Sequence, residues 1–197
     1  MTHAQVPDGF TAFSFTQDID LDAVRRTISA GSVVKGMFLG SVVEAVTAAG
    51  KTLPRADRFL AFKDYPSETQ LDLLVDAARA LHPDVPLREG IRRIGAGAYP
   101  ALVSSMIGKV IFGVLGTDIT KITKLVHKAY EISGKPARAT LIDLSANHSL
   151  VRLDQTLLPD CYQVGIFEGV FRLCGKVGEV YGRALTDESW ELYSRWR

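Results

Sequence analysis

Cysteine is scarce in this chain, with only Cys161 and Cys174 among 197 residues. Both fall on one predicted helix, where a rise of about 20 Å between them rules out a bond to each other. The fold is therefore expected to stand without disulfides, its thiols free and buried, as in a cytoplasmic protein. An excess of charge is also lacking: 23 Lys and Arg face 22 Asp and Glu, for a net charge of +1. That balance leaves no electrostatic footprint for nucleic acid or for an anionic membrane. Histidine is sparse, and His3, His82, His127 and His148 form neither a His-x-x-x-His pair nor a set with the cysteines. No metal is expected on that ground. A phosphate loop, a dinucleotide fingerprint and a nucleophile elbow are all missing. With no nucleophile, base and orienting group in view, the chain is expected not to be an enzyme. Its first residues lack the basic and apolar regions of a secretory signal.

What is present is an unusual stretch. Ile94 to Thr117 spans 24 residues with one charge, Lys109. A surface helix keeps one face polar, so this segment is expected to be enclosed by protein or to line a cavity. Pro100, Lys109 and five glycines interrupt it, which argues against a membrane-spanning helix. Apolar residues make up 47% of the chain. The length suits a single domain, residues 1–197, that buries roughly 70% of its unfolded surface.

Periodicity divides the chain into two parts. Phe10–Phe15 alternates aromatic and small residues and reads as a short strand. Helices are expected over Asp20–Ile28 and Lys35–Ala49, followed by a polar connection over Lys51–Asp64. Ser67 and Gln70 have capping-box spacing ahead of a helix that carries Leu71, Leu74, Val75, Ala78 and Leu81. A short helix over Pro86–Ile94 is expected to stop at Gly95, and a second, apolar one to run from Pro100 to Leu115. Another follows Thr117 or Asp118, with Ile119, Ile122, Leu125, Val126, Ala129 and Tyr130 on one face. The period then changes to that of strands: Ala137–Leu144 and His148–Asp154, a helix over Pro159–Gly175, and a hairpin of Val177–Leu185 with Trp190–Trp196. In the last strand Trp190, Leu192 and Trp196 share one parity, and Glu191, Tyr193 and Arg195 the other. The expected class is α+β, with a helical N-terminal part packed on a C-terminal antiparallel sheet of β-β-α-β-β order.

Two helices are apolar nearly all round. On the first, Leu102, Val103, Met106, Ile107, Val110 and Val114 make a broad face, and its reverse holds Ser105, Gly108, Lys109 and Phe112. On the second, Tyr162, Ile166, Val170 and Leu173 make one face, and Val164, Phe167, Phe171 and Cys174 nearly complete another. Either these form a dense core, or they enclose an apolar pocket. On the pocket reading the ligand-binding residues are Tyr99, Leu102, Val103, Met106, Val110, Tyr162, Ile166, Gly169, Val170 and Leu173. Ser104, Ser105, Tyr162, Arg172, His148 and Arg152 are candidates for its polar mouth. Gly36 with Gly40, and Gly165 with Gly169, mark close approach by a backbone or a ligand.

Tyr65-Pro66, Pro83-x-x-Pro86, Gly165-Ile-Phe-Glu-Gly169 and a final hairpin ending in Trp196 occur in this order. The chain thereby resembles a paralogous family of uncharacterised proteins abundant in myxobacteria and related predatory bacteria. Its C-terminal half is distantly similar to haem–nitric-oxide/oxygen-binding (H-NOX) domains and to the TRAPP-type fold. Those resemblances imply an apolar cavity, for haem in one and an acyl chain in the other. His127 would correspond to the H-NOX iron ligand. However, its position on the helical wheel, beside Lys124 and Lys128, points it to solvent. The propionate-binding Tyr-x-Ser-x-Arg of that family is replaced by Leu153-Asp-Gln-Thr-Leu157. The expected partner is an apolar small molecule, fatty-acid-like or quorum-signal-like, in sensing or signalling, with no cofactor. Burying ten methylenes would contribute about 8 kcal/mol before the costs of association. The alternatives are a protein-interaction or homodimerisation module, and a haem-based gas sensor using His127.

Overall fold

A computed structural model of the chain describes residues 5–54, 58–106, 109–110, 115–156 and 158–197. The C-terminal half has the expected order. Strands β5 (Arg138–Leu144) and β6 (His148–Asp154) precede helix α7 (Asp160–Leu173), and β7 (Gly178–Thr186) and β8 (Ser189–Trp196) follow it. With β1 (Thr11–Ala12) at one edge they form an antiparallel sheet in the order β1-β7-β8-β6-β5. The parity of β8 holds. Leu192 and Trp196 join the core with Phe167 and Phe171 of α7, while Glu191 on the opposite face bonds Arg152 and Arg183.

The N-terminal half contains α1 (Leu21–Thr27), α2 (Gly36–Ala48), α3 (Ser67–Leu81) and α4 (Leu87–Ser104). Asp20 caps α1 by accepting from the Ala23 N–H at 2.9 Å. A small antiparallel sheet, absent from the expectation, ties this half together: β2 (Val33–Lys35) lies between β3 (Asp64–Pro66) and β4 (Gly134–Lys135). Strands of two or three residues carry too little periodicity to stand out from a loop. The capping box also fails. Pro66 is the cap residue of α3 and Ser67 its first helical one, with the Ser67 N–H donated to the Ser32 carbonyl at 3.0 Å. Gln70 is buried instead and bonds across the core to Tyr162.

The largest departure concerns α4. The expected stop at Gly95 and restart at Pro100 are replaced by a single helix with Pro100 inside it, ending at Ser104. Its contact with α7 explains the continuity. A Cβ on Gly165 would meet the carbonyl of Arg92, one on Gly169 that of Ala96, and one on Gly95 that of Tyr162. The two backbones therefore touch along one seam. Pro100 has no N–H to offer the Ala96 carbonyl, four residues back, and Gly169 packs against that freed oxygen. Of the first glycine pair, Gly36 is also closely approached, by the Leu60 carbonyl, whereas Gly40 has open space.

After Ser104 the chain changes direction: Ser105 has extended backbone, at φ −66° and ψ 162°. The apolar face of α4 thus ends at Leu102, and Met106 and Val110 are 73% and 78% exposed. This corrects the expectation of an enclosed helix reaching Leu115. The expected face residues Ile107 and Val114, with Gly108 and Phe112, lie outside the described residues. The single helix expected next is two, α5 (Ile119–Lys124) and α6 (Val126–Ser133), separated at Leu125. Asp118 caps α5, accepting from the Thr120 and Lys121 N–H groups at 3.0 and 3.2 Å. Among the described residues, no helix is long and apolar enough to cross a membrane.

Candidate functional site

The seam between α4 and α7 holds their backbones together at the glycines. Around Tyr99 and Tyr162 large side chains hold neighbouring elements apart, and a cavity of about 100 Å³ opens there. The helical half contributes Val34, Phe38, Gln70, Ala98, Tyr99 and Leu102. Facing them are Tyr130 of α6 and Tyr162, Gln163 and Ile166 of α7. Ser133 and the exposed Lys135 lie at the β4 end. A second void of about 40 Å³ lies beside the first and shares Tyr99, Ala129, Tyr130 and Ile166 with it. Val170, Phe167, Phe171 and Trp196 line its far side.

The walls are apolar with a few buried polar groups. The Tyr130 hydroxyl donates to Gln163 Oε1 at 2.6 Å, and Gln70 Nε2 donates to the Tyr162 hydroxyl at 3.4 Å. Burial pushes the hydroxyls of Tyr99, Tyr130 and Tyr162 well above the ordinary tyrosine value, so all three stay neutral. Burial likewise pushes the Cys161 thiol up to about 12, which makes it a packing residue and a poor nucleophile.

The expected site residues divide into three groups. Tyr99, Leu102, Tyr162 and Ile166 line the cavity, and Val170 lines the adjoining void. Val103 and Leu173 pack against the core without lining either space, and Gly169 faces the Ala96 carbonyl. Met106 and Val110 stand exposed beyond the end of α4. Of the expected mouth residues only Tyr162 lines the cavity. Arg152 bonds Glu191 on the other face of the sheet, His148 bonds Asp143 and Ser145, Arg172 is exposed, and Ser104 and Ser105 bond carbonyls of their own helix. The sequence reading missed Val34, Phe38, Gln70 and Gln163. A glutamine within an otherwise apolar stripe, as at Gln70 beside Leu71 and Leu74, was the available signal.

Residues 27–197 match the model of a family described as "Protein of unknown function (DUF2378)". The chain belongs to the DUF2378 family. No curated protein matches this DUF2378 chain by sequence. Its fold is that of H-NOX proteins. It is similar to the H-NOX protein of S. oneidensis in the Fe(II)NO ligation state, with a TM-score of 0.63 and 14% identity over 83% of this chain and 99% of that one. It is also similar to the Fe(II) unliganded H-NOX protein of K. algicida, with a TM-score of 0.60 and 11% identity over 83% and 96% of the two chains.

A haem does not fit the residues present. His127 is exposed on α6 and lines neither space. The cavity of about 100 Å³ is far below the roughly 300–1,000 Å³ of ordinary small-molecule and cofactor sites. Neither space has a histidine in its lining, and Cys161 and Cys174 line neither of them.

Proposed function

We propose that this DUF2378 chain is a non-enzymatic protein that binds a small, largely apolar molecule between α4 and α7, in a sensing role. The observation that carries this reading is the cavity itself. It is lined by uncharged groups, apart from the exposed Lys135 at its β4 end. An apolar cavity of about 150 Å³ in another protein stays dry and takes up benzene, which sets the scale for a void of about 100 Å³. The expected fatty-acid-like ligand is therefore scaled down, since a chain of ten methylenes exceeds this space. A longer body requires Tyr130 and Ile166, which separate the two spaces, to turn aside.

Native mass spectrometry of freshly purified protein, followed by denaturing extraction, tests the proposal. The expected result is a released compound smaller than a C10 acid, or thermal stabilisation by added benzene-sized molecules. A bare polypeptide mass with no stabilisation by any such molecule refutes it. Release or binding of a C10–C18 acid would restore the longer ligand. A second reading, an interaction or dimerisation module, is favoured by Leu60, Phe62, Met106 and Val110, each more than half exposed. Sedimentation separates the two, because a ligand binder can be a monomer.

A further inference from the structure

We propose that the cavity selects an uncharged molecule carrying a carbonyl-type acceptor, over a carboxylate or a plain hydrocarbon of the same size. This rests on the ligand-binding reading above and adds the chemistry of the ligand. Tyr162 and Gln163 are consecutive on α7, 4% and 6% exposed, and both line the cavity. The bond from Tyr130 engages the carbonyl oxygen of the Gln163 amide, which leaves both Nε2 hydrogens to find an acceptor elsewhere. The Tyr162 hydroxyl already accepts from Gln70, so its own hydrogen remains to be donated. Among the described residues, the Gln163 amide bonds through its oxygen to Tyr130 and the Tyr162 hydroxyl bonds to Gln70 Nε2, which leaves both donors directed at no protein acceptor. Two donors on the cavity wall are left for a ligand oxygen to accept from.

The electrostatics decide which kind of oxygen. No Asp, Glu, His or Arg lines the cavity, and Lys135, its one cation, is exposed at the β4 end. A carboxylate at the depth of Tyr162 would lose its hydration with no counter-charge beside it. A hydrocarbon would bring no acceptor for the two donors. A ketone, aldehyde, ester or lactone satisfies them and brings no charge.

The test compares cyclopentanone, benzene and butanoate, matched in heavy-atom count, on the full chain by ligand-observed NMR. The ketone is expected to bind about tenfold more tightly than benzene, and butanoate not to bind. Tyr162→Phe should lower the ratio of ketone to benzene affinity about tenfold. In the parent chain the ¹³C carbonyl resonance of bound ketone should move downfield, a readout that stands even if the variant fails to fold. Equal affinities for ketone and benzene, with no carbonyl shift, would overturn the ligand class while leaving the apolar site intact. Tightest binding of butanoate would also overturn it, making Lys135 the anchor. No binding of any of the three would remove the ligand-binding reading itself.

Discussion

Gly165→Ala is the sharpest probe of the seam that shapes the site. In an ordinary helix this change stabilises by roughly 0.5–1 kcal/mol, because alanine gives up less backbone freedom on folding. Here the new methyl would run into the Arg92 carbonyl, with the backbone of Ala96 also in contact. Both obstacles are main chain, so no side chain can swing away, and α4 and α7 must separate. Forcing extra volume into a packed contact typically costs 1–3 kcal/mol. The net expectation is a loss of about 1–2 kcal/mol, seen as a fall in Tm of roughly 2–8 °C for a chain of this size. Gly97→Ala is the internal control. It lies on α4, the helix that α7 crosses, with open space where its Cβ would be, and should raise stability by about 0.5–1 kcal/mol. Urea denaturation followed by circular dichroism measures both. If Gly165→Ala proves as stable as the parent, or Gly97→Ala as damaging as Gly165→Ala, the seam described here is wrong.

Three further outcomes are expected. Added hemin should give the same absorption spectrum with the parent and with His127→Ala, because His127 faces solvent on α6; a Soret band lost only in the variant would revive an iron-ligating role. The Arg92 guanidinium, hydrogen-bonded to Glu89, lowers that carboxyl from 4.5 to about 2, with Arg93 assisting. Because the folded value is depressed, its contribution to stability is present above about pH 4.5 and fades as pH falls toward 2. Glu89→Gln should therefore cost about 1 kcal/mol at pH 7 and almost nothing at pH 2, and a pH-independent difference in urea midpoints would contradict this. Finally, Cys161 is fully buried with its thiol raised to about 12, so iodoacetamide at pH 8 should alkylate it only after denaturation; labelling of the native chain at Cys161, read by peptide mass, would refute its enclosure.

Much of the architecture follows from local pattern. Alternation in β5, β6, β7 and β8, and helical spacing in α3 and α7, carry the β-β-α-β-β order and the two-sided parity of Trp196 and Glu191. Such periodicity is a property of neighbours along the chain, and it is plainest in β6, where Ser149, Val151 and Leu153 are buried and the residues between them are not. Where α4 ends is a different kind of fact. Gly95 and Pro100 both signal a break, yet the helix runs through them because α7 comes close enough at Gly165 and Gly169 to lie against the carbonyls of Arg92 and Ala96. Contact between segments roughly seventy residues apart leaves no mark on local spacing. The cavity is a consequence of the same crossing. The α4 and α7 backbones touch at the glycines and at the Tyr162 carbonyl, and the side chains of Tyr99 and Tyr162 line the space beside that crossing, so identical apolar faces could have met as solid core or as the cavity found here. Only the mutual placement of α2, α3, α4, α6 and α7 settles which.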